Sequence, residues 1–562
     1  MRQIADKISS PRAILLAGVL IIIGACFAAY IPAIKSGFIW DDDVYITDNP
    51  LLNAHDGLYR IWLSTDSPSQ YFPLAYTTFW VECRLWGFNP AGYHTVNVVI
   101  HIANALLLWL VLRRLSIPGA WFASAVFALH PVQVESVAWI TEQKNVLMLF
   151  FSLLSVLCWM EFAIGNKSGR KANLFYAGSL GLFALALFSK STACTLPAAL
   201  VLILWLKRMP LTVKRWMQIV PFVVMGLGMG LLVMWWEKNH QATGLVNLRL
   251  GAAGKLLIAG RALWFYLWKL FWPVNLTFSY PRWNIDPTAI RQYAWPAASI
   301  LVLACAWIVR NRLGRGIVTA ILFFMAMLLP MLSFFSLFTF IYTFVADHYQ
   351  YAACIGPITL VAAGSALVYR RSDKNVRFFM FSAGSILILS LGVLSWRQCH
   401  AYANVETLWL DTLKKNPDSV LAHGEIGRML FKQGKFNEAQ FHFEQKIKAA
   451  SYMKTIFPFK YALFLDDYGV VLNSMGKLDE AIVCYQNSLD VWEHFAGAHF
   501  TLGLALAQKG NVELARFHFL RALEIIQDKK DAQLNQRLCP QLNLNQFNNG
   551  IHRHLDLLEE KK

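Results

Sequence analysis

The chain has 562 residues, of which 56% are hydrophobic and only 15% are charged, and its formal net charge is +17. Soluble domains carry about a quarter charged residues, so this composition excludes an ordinary soluble protein. The positive charge is concentrated in short loops between apolar stretches, which is typical of cytoplasmic loops in membrane proteins and not of a nucleic-acid-binding surface. We therefore expect an integral membrane protein without a nucleic-acid partner.

Apolar stretches of about 17–22 residues recur up to residue 398, and each is long enough to cross a hydrocarbon core of roughly 30 Å. They predict about eleven spans. Alternate loops are basic, which places the N-terminal MRQIADKISSPR in the cytoplasm and the loop 35–92 on the opposite side. The predicted spans begin near Arg12, Tyr93, Ala120, Val146, Asn173, Ser191, Trp216, Ala294, Gly316, Ala352 and Phe378.

The first extracytoplasmic loop contains the sequence SGFIWDDDVYITDNPLL, which starts at Ser36. Asp41, Asp42 and Asp43 are adjacent in this stretch, so they are expected to raise one another's pKa, and partial burial acts in the same direction. A carboxylate with a raised pKa can accept the proton of an attacking hydroxyl, and a lipid-phosphate leaving group needs no second acid. The triplet therefore predicts a catalytic base for sugar transfer, and the alternatives are a solvated acidic loop or a divalent-cation site.

The second predicted span carries a polar stripe, since His94, Asn97, His101 and Asn104 recur at spacings of three and four residues. Side chains at these spacings lie on one face of a helix. Polar groups inside a bilayer are costly, which makes them candidates for a function by default. We expect the two histidines to line a substrate site, and hydrogen bonding between helices is the alternative.

More polar residues gather on the membrane face that carries the triplet. The stretch 252–272 has basic residues at spacings of six and eight, which predicts an amphipathic helix in the interface rather than a span. Cationic groups suit a phosphate headgroup, whereas a single basic residue at this depth is usually a snorkelling anchor. The candidate phosphate-binding residues are Lys190, Arg261, Lys269, Arg282 and His348, and the polar residues beside them are His130, Glu135, Tyr280 and Asp347.

The composition changes after residue 398, and the segment 399–540 repeats itself. GRMLFKQGKFNEAQ, GVVLNSMGKLDEAI and GLALAQKGNVELAR start at Gly427, Gly469 and Gly503 and align without gaps, and the longer first interval predicts an insertion around SYMKTIFPF. A helix–turn–helix period of about 34 residues is the tetratricopeptide signature. The concave face of such an array binds extended peptides, and a spacer or dimerisation module is the alternative. The tail 541–562 is predicted to be a loop with a short final helix.

The order of these motifs along nearly the whole chain resembles a known family. The aspartates of the first loop are followed by YFPL, WGFNPAGYHTVNVVIHIANALLL, HPVQVESVAWITEQKNVL, FSKSTACTLP, RALWFYLWKLFWPVNLTFSYP and DHYQYAACIGP, and then by the repeats. This arrangement is similar to bacterial relatives of the tetratricopeptide-repeat transmembrane O-mannosyltransferases, which are GT-C glycosyltransferases. The resemblance implies an all-α fold, with a polytopic GT-C-like helix bundle over residues 1–398 followed by a soluble tetratricopeptide α-solenoid.

The resemblance also implies a reaction. Such enzymes take a sugar from a polyprenyl-phosphate donor and use an Asp of the first loop as the base, and Asp41 is the favoured match here, followed by Asp42. His348 stands where relatives often have an Arg, and a histidine is only partly charged near neutral pH, which weakens its assignment to phosphate binding. The substrate-binding residues taken together are Asp43, Tyr71, His94, His101, His130, Glu135, Tyr280, Asp347 and Tyr349.

We therefore predict an inverting glycosyltransferase of the inner membrane, with a cytoplasmic N-terminus and a periplasmic repeat domain that binds the acceptor protein at a Ser or Thr hydroxyl. A lipid or polysaccharide acceptor, or a non-enzymatic repeat scaffold for envelope assembly, are the alternatives. A transporter is disfavoured, because the polar residues gather on one membrane face. The sequence contains no G-x-x-x-x-G-K-S/T motif, which agrees with a lipid-linked donor. It specifies no cofactor, and a divalent cation stays open.

Overall fold

The computed structural model describes residues 11–65, 70–165, 168–240, 246, 248, 250–334, 338–538 and 544–559, and the predicted cytoplasmic segment 1–10 lies outside them. Every regular element in these ranges is a helix, as predicted. By length and composition, seven of the described helices can cross a membrane, so the chain is a multi-pass membrane protein. They are Arg12–Ile34, Pro90–Arg114, Ile140–Ala163, Gly169–Ser189, Val213–Asn239, Ile290–Leu313 and Lys374–Tyr402.

The other four predicted spans coincide with shorter apolar helices. Three of them cover Ala120–Leu129, Ser191–Leu206 and Gly316–Met331, and the fourth covers Ile355–Arg371. They are shorter than the apolar stretches in the sequence, because tight turns replace regular helix at one end of each. These turns carry several polar side chains of the candidate site described below.

The helices of the membrane part pack around one large apolar core. In chain order they are α1 (Pro11–Ile34), α2 (Pro50–Asn53), α3 (Gly57–Leu63), α4 (Pro73–Trp86), α5 (Pro90–Arg114), α6 (Ala120–Leu129), α7 (Val134–Ala138), α8 (Gln143–Ala163), α9 (Gly169–Ser189), α10 (Leu196–Leu206), α11 (Val213–His240), α12 (Ala252–Phe271), α13 (Ala294–Leu313), α14 (Gly316–Leu328), α15 (Ile355–Arg371) and α16 (Lys374–Cys399).

The proposed interfacial helix corresponds to α12, which is not among the seven long apolar helices. One face of α12 is buried through residues such as Leu257 and Tyr266, whereas Trp268 is 62% exposed. Gly260 allows α12 to approach α13 closely, because a Cβ atom there would lie 2.6 Å from Pro296 Cδ. This amphipathic pattern suits a helix lying along the membrane surface.

The C-terminal part consists of paired helices with the predicted register. Ala481 is fully buried between the two helices of its repeat, as are the equivalent alanines of the other two repeats. Gly476, in the turn that joins the two helices, has a φ of 76°. A left-handed turn of this kind favours glycine. The helices are α17 (Val405–Lys415), α18 (Val420–Lys432), α19 (Phe436–Ala449), α20 (Met453–Ile456), α21 (Pro458–Ser474), α22 (Leu478–Val491), α23 (Ala496–Gln508), α24 (Val512–Gln527), α25 (Lys529–Leu538) and α26 (Leu544–Glu559).

The repeats pack on the face of the membrane part that carries the aspartate triplet. The Gly37 backbone N–H donates to the carbonyl of Ala403 at 2.9 Å, which joins the first loop to the start of the repeat part. Asn416 Nδ2 donates to the carbonyl of Ser279 at 3.0 Å, which joins the repeats to the segment after α12. The triplet and the repeats therefore lie on one face of the bundle.

The insertion in the first repeat interval makes a second contact with the membrane part. It folds into α20, and the hydroxyl of Tyr452 donates to the carbonyl of Ile341 at 2.8 Å. Met453 and Phe457 are buried together with Ile341 in one apolar cluster. The residues that break the regular repeat period thus attach the array to the loop that precedes Asp347.

A histidine pair recurs in the repeats. The Nδ1 atoms of His499 and His518 lie 3.0 Å apart, and those of His423 and His442 do the same. Nε2 of His499 contacts the carbonyl of Glu493 at 2.9 Å, and only the protonated nitrogen can donate there, so Nδ1 is left as the acceptor. The pair therefore forms only while one Nδ1 atom is unprotonated.

We expect the repeats to lose stability on acidification. Burial lowers the pKa of His499 from 6.5 to about 4, with Arg521 acting in the same direction. Because the unfolded chain binds this proton more readily, the stability contributed by His499 is complete above about pH 6.5 and is lost toward about pH 4, on the order of 2 kcal/mol. Thermal unfolding of the full chain in detergent at both pH values checks this. An equal loss in wild type and His499→Gln would contradict it.

Candidate active site

Charged side chains meet at the face of the bundle that lies under the repeats. Pro131 ends the helical path after α6, and the chain then makes α7 and the tight turn Ile140–Glu142 before α8 begins. Lys190 follows α9 at the entry to another tight turn, and His348 lies in the turn Asp347–Gln350. These breaks bring five side chains together, which we call the charged cluster: Glu135, Glu142, Lys144, Lys190 and His348.

Glu142 is the centre of the charged cluster. Its Oε1 lies 3.0 Å from Lys144 Nζ and its Oε2 lies 3.0 Å from Lys190 Nζ. Asn145 Nδ2 also donates to Oε2, at 2.5 Å. Each of the three charged side chains is at most 9% exposed. Two buried ammonium groups thus share the Glu142 carboxylate, and both lie where an incoming anion could contact them.

Glu135 holds His348 at the edge of the cluster. The imidazole Nδ1 lies 3.0 Å from Glu135 Oε1, and the backbone N–H of His348 donates to Glu135 Oε2 at 2.8 Å. The other ring nitrogen, Nε2, lies 3.9 Å from Oε1 of Glu142. The imidazole therefore stands between the two carboxylates, beside the lysines.

The structure gives the three aspartates different environments. Asp42 is fully buried, and its Oδ1 accepts hydrogen bonds from the backbone N–H and the hydroxyl of Thr141 at 2.9 and 2.6 Å, while its Oδ2 accepts from Ile39 N at 2.9 Å. The Oδ1 of Asp41 is buried without a hydrogen-bond partner. Asp43 is exposed and accepts from the backbone N–H of Val44. Asp42 thus fixes the loop, whereas Oδ1 of Asp41 receives no hydrogen bond.

The electrostatics of Asp41 suit a proton acceptor. Burial raises its pKa to about 7, the neighbouring charges of Asp42 and Glu142 act in the same direction, and the Lys144 ammonium opposes them. A carboxyl group with a pKa near the working pH combines an adequate fraction of carboxylate with adequate basicity. Lys144 thereby links Asp41 to the charged cluster.

A cavity of about 200 Å³ begins at the charged cluster and extends between α8, α10, α14 and α15. Lys190, His348 and Tyr349 line its polar end. The rest of the lining is mainly apolar, with side chains such as Leu149 and Phe323. A cationic end joined to an apolar passage suits a lipid phosphate with a long hydrocarbon chain.

Asp347 and Tyr280 form a second buried group next to the cluster. The hydroxyl of Tyr280 lies 3.0 Å from each carboxylate oxygen of Asp347. Burial raises the pKa of Asp347 well above its usual range, and Lys269 opposes this effect. Lys269 Nζ donates to the carbonyls of Val274 and Asn275 at 2.7 and 3.2 Å, so it fixes the segment after α12.

The sequence predicts that five basic residues form one phosphate site, but in the structure these residues lie in different places. Lys190 and His348 belong to the charged cluster, whereas Arg261 stacks on Trp283 and lines a different groove. Arg282 lines that same groove, and its Nε donates to the carbonyl of Ile341 at 3.0 Å. The reason is the orientation of α12, which turns Arg261 away from α8 and toward the start of α13.

The histidines predicted to line the substrate site are buried and contact main-chain atoms. His101 Nε2 contacts the carbonyl of Ala128 at 3.0 Å, and its Nδ1 contacts the hydroxyl of Tyr351 at 2.7 Å. His94 contacts the carbonyl of Gly37, and His130 contacts that of Leu270 at 2.9 Å. These contacts match the alternative of hydrogen bonding between segments.

Two predicted substrate residues lie nearer the surface. Tyr71 is partly buried, donates to the carbonyl of Trp62 at 3.3 Å and packs against Trp236. The hydroxyl of Tyr349 lies 2.7 Å from Thr339 Oγ1 while its ring lines the cavity. Of the predicted substrate residues, Glu135, Tyr280, Asp347 and Tyr349 are therefore in or beside the charged cluster.

Sequence reasoning did not select Glu142 and Lys144 as site residues. The feature of the sequence that could have identified them is the charged motif EQKN at the start of a predicted span, where charged side chains are costly. The pairing of Glu142 with Lys190 joins two segments 48 residues apart, which no local pattern reveals. Among the described residues, no three His, Cys, Asp or Glu side chains are grouped so as to hold a metal ion.

The fold and the cluster define a multi-pass membrane protein with a buried charged site and C-terminal tetratricopeptide repeats. A tetratricopeptide-repeat family matches residues 472–532, which confirms the repeats. The relatives named protein O-mannosyl-transferase confirm the resemblance seen in the motifs. F38B6.6 of Caenorhabditis elegans is 32% identical over 152 residues, which cover 25% of this chain and 22% of that protein. Tmtc3 of Drosophila melanogaster is 23% identical over 504 residues, which cover 75% of this chain and 54% of that protein.

The chain thus spans about half of Tmtc3 and less than a quarter of F38B6.6. Among solved structures, the crystal structure of ArnT from Cupriavidus metallidurans bound to undecaprenyl phosphate is similar, with a TM-score of 0.35 and 12% identity. That alignment covers 87% of this chain and 81% of ArnT.

Proposed function

We propose that this protein is a GT-C glycosyltransferase that moves a sugar from a polyprenyl phosphate to a hydroxyl group of an extracytoplasmic acceptor, a Ser or Thr of a protein. The observation that carries the proposal is the buried, unpartnered Oδ1 of Asp41, on the same face as a charged cluster that opens into an apolar cavity. The names of the relatives support the reaction class, and they make a mannosyl donor the first to assay.

The reaction is a single displacement with inversion. Asp41 accepts the acceptor hydroxyl proton as the hydroxyl oxygen attacks the anomeric carbon of the sugar. The bond between that carbon and the phosphate oxygen breaks, and polyprenyl phosphate leaves as an anion. Because the leaving group is already a stable anion, the site needs one base and cationic groups for the phosphate, which is the set that Asp41, Lys144 and Lys190 provide, with His348 beside them.

Glu142 keeps the cations in place before the donor arrives. Two buried ammonium groups without a counter-ion would be costly, and Glu142 compensates part of their charge. An arriving phosphate is then bound by the same two ammonium groups, which are already in position. The cavity between α8, α10, α14 and α15 then takes the first part of the polyprenyl chain.

The repeats bind the acceptor protein and hold it near the site. They pack on the face that carries Asp41, through Ala403 and Tyr452, so a peptide held by the array reaches the base without crossing the membrane. In this arrangement the N-terminus is cytoplasmic, the repeats are periplasmic and the protein resides in the inner membrane. The basic loops at the other end of the bundle support that orientation.

Glycopeptide and intact-mass analysis of envelope proteins tests the function. Cells that express the protein are compared with cells that lack it, and a hexose-sized modification on Ser or Thr is expected only in the first. If protein modification is identical in both and a lipid or polysaccharide fraction differs, the acceptor is not protein. If no fraction differs, the chain is a scaffold.

Filling the cavity should weaken donor binding. Ala363 lines the cavity on α15, and in Ala363→Phe the new ring occupies the path of the lipid chain. We expect the KM for the polyprenyl donor to rise at least about tenfold with a smaller change in kcat. Val361→Phe is the matched control, because Val361 lies on the same helix and is 45% exposed. Equal KM values for the two variants would contradict a lipid path through this cavity.

A further inference from the structure

A second, open groove lies beside the middle of α12, where this helix packs against the start of α13. Its volume is about 800 Å³, and it shares no lining residue with the cavity below Lys190. None of the described residues that line this groove has a carboxylate, and most of them have basic or indole side chains. These are Arg261, Arg282, Arg291, Trp264, Trp283 and Trp295.

Helix packing fixes the walls of the groove. The indole Nε1 of Trp264 donates to the carbonyl of Trp295 at 3.1 Å and contacts Ser299 Oγ at 3.0 Å, so it joins α12 to α13. The same two helices are in close contact at Gly260 and Pro296. The groove is therefore a rigid depression between two helices.

The cations of the groove lack strong anionic partners within the described part of the chain. The guanidinium of Arg261 stacks on the Trp283 ring at 4.4 Å, and that of Arg282 stacks on Phe344 at 4.5 Å. Asp286 is the carboxylate near Arg291, and it accepts hydrogen bonds from the backbone N–H and hydroxyl of Thr288 at 2.9 and 2.6 Å. The groove thus has a net positive charge.

The position of the groove indicates the depth of its ligand. The apolar helix Ile290–Leu313 begins at its floor, so the groove lies at one end of a candidate membrane span. Tryptophan and arginine side chains are characteristic of the headgroup level of a bilayer. A ligand that enters this groove from the membrane therefore presents its headgroup to the arginines.

We propose that this groove binds the phosphate headgroup of an anionic phospholipid of the surrounding bilayer. Arg261 and Arg291 bind the phosphate oxygens, and the indole rings pack against the glycerol backbone. Arg282 forms the wall toward the repeats, because its guanidinium also packs over the Tyr452 ring at 4.7 Å. The bound lipid thus contacts the point where α20 attaches to the membrane part.

Native mass spectrometry of the full chain in detergent, titrated with phosphatidylglycerol, tests this proposal. We expect wild type to retain one tightly bound phosphatidylglycerol, and Arg291→Gln and Arg261→Gln each to bind it about tenfold more weakly. Arg291 is exposed, so its variant tests binding without disturbing the fold. The matched control is Arg370→Gln with Arg371→Gln, two exposed arginines at the end of α15, where no change is expected.

Titrations with other ligands identify which phosphate-containing molecule the groove binds. Phosphatidylcholine at the same concentration should not be retained, and inorganic phosphate should displace phosphatidylglycerol only at far higher concentration. Equal displacement by inorganic phosphate, or equal phosphatidylglycerol binding by Arg291→Gln, Arg261→Gln and wild type, would overturn the proposal. So would competition by polyprenyl phosphate at equal concentration, because the groove would then belong to the donor. Asp41→Asn should bind phosphatidylglycerol as wild type does, which separates this test from that of the proposed reaction.

Discussion

We expect Asp41→Asn to slow sugar transfer by about two to four orders of magnitude while the protein accumulates in the membrane at wild-type levels. The amide cannot accept the hydroxyl proton, and loss of a general base costs typically about 10²–10⁴-fold in rate. Asp41 makes no hydrogen bond through Oδ1, so the substitution removes no structural contact at that atom. Transfer of labelled sugar from a polyprenyl phosphate donor to a Ser-containing peptide by the purified protein measures the effect.

The neighbouring aspartates are the internal controls for this experiment. Asp43→Asn leaves transfer unchanged, because Asp43 is exposed and contacts only its own loop. Asp42→Asn lowers the thermal stability instead, since an amide group meets the N–H donors of Thr141 or Ile39, at a cost of about 1–3 kcal/mol. Full activity of Asp41→Asn would remove it from the reaction.

The pH dependence of transfer is a second test of Asp41 as the base. Burial raises the pKa of Asp41 to about 7, and the group works as a base only in its carboxylate form. We therefore expect kcat/KM to increase with pH up to about 7 and then to level off. A rate that is constant between about pH 5 and about pH 8 would indicate a base with an ordinary pKa.

Glu142→Gln is the second change with a large expected effect, and here the loss is in folding. Without the carboxylate, Lys144 and Lys190 remain buried beside a neutral amide, and breaking a buried ion pair in this way costs about 3–5 kcal/mol. We expect a marked fall in the midpoint of thermal unfolding in detergent. Glu161→Gln is the control, because its pair with Arg114 is at the surface and contributes less than about 1 kcal/mol.

A double variant separates stability from donor binding. In Glu142→Gln with Lys190→Met one buried charge is removed together with its partner, so part of the lost stability should return. Donor binding should not return, because Lys190 is a phosphate ligand in the proposed site. Recovery of both properties would show that Lys190 has only a structural role.

Local patterns in the sequence predicted the helices and the repeats well. Span positions follow from apolar length, and the repeat register follows from small residues such as Ala481 and Gly476, which occur where only they fit. Asp41 was favoured from the motif match, and its role as the base stays a prediction. These features depend on neighbours in the sequence or on a fixed period.

The grouping of the charges could not be predicted in the same way. Whether Lys190 or Arg261 faces the cluster depends on the rotation of each helix about its axis, which a basic residue near a membrane boundary does not fix. Glu142 reaches Lys190 only because a tight turn precedes α8. His101 has a polar position that suits a ligand or a helix contact equally, and only the packing against Ala128 distinguishes them.

The contact between α20 and the membrane part has a consequence for how the protein is made. The carbonyl of Ile341 receives one hydrogen bond from Arg282, which precedes it, and one from Tyr452, which is synthesised 111 residues later. The packing of the segment that leads to Asp347 is therefore completed by a residue from the repeat part. During translation the helices of the bundle are inserted first, while this segment still lacks its contact with Tyr452. We therefore expect this segment to reach its final packing only after the repeat helices have been translocated and folded.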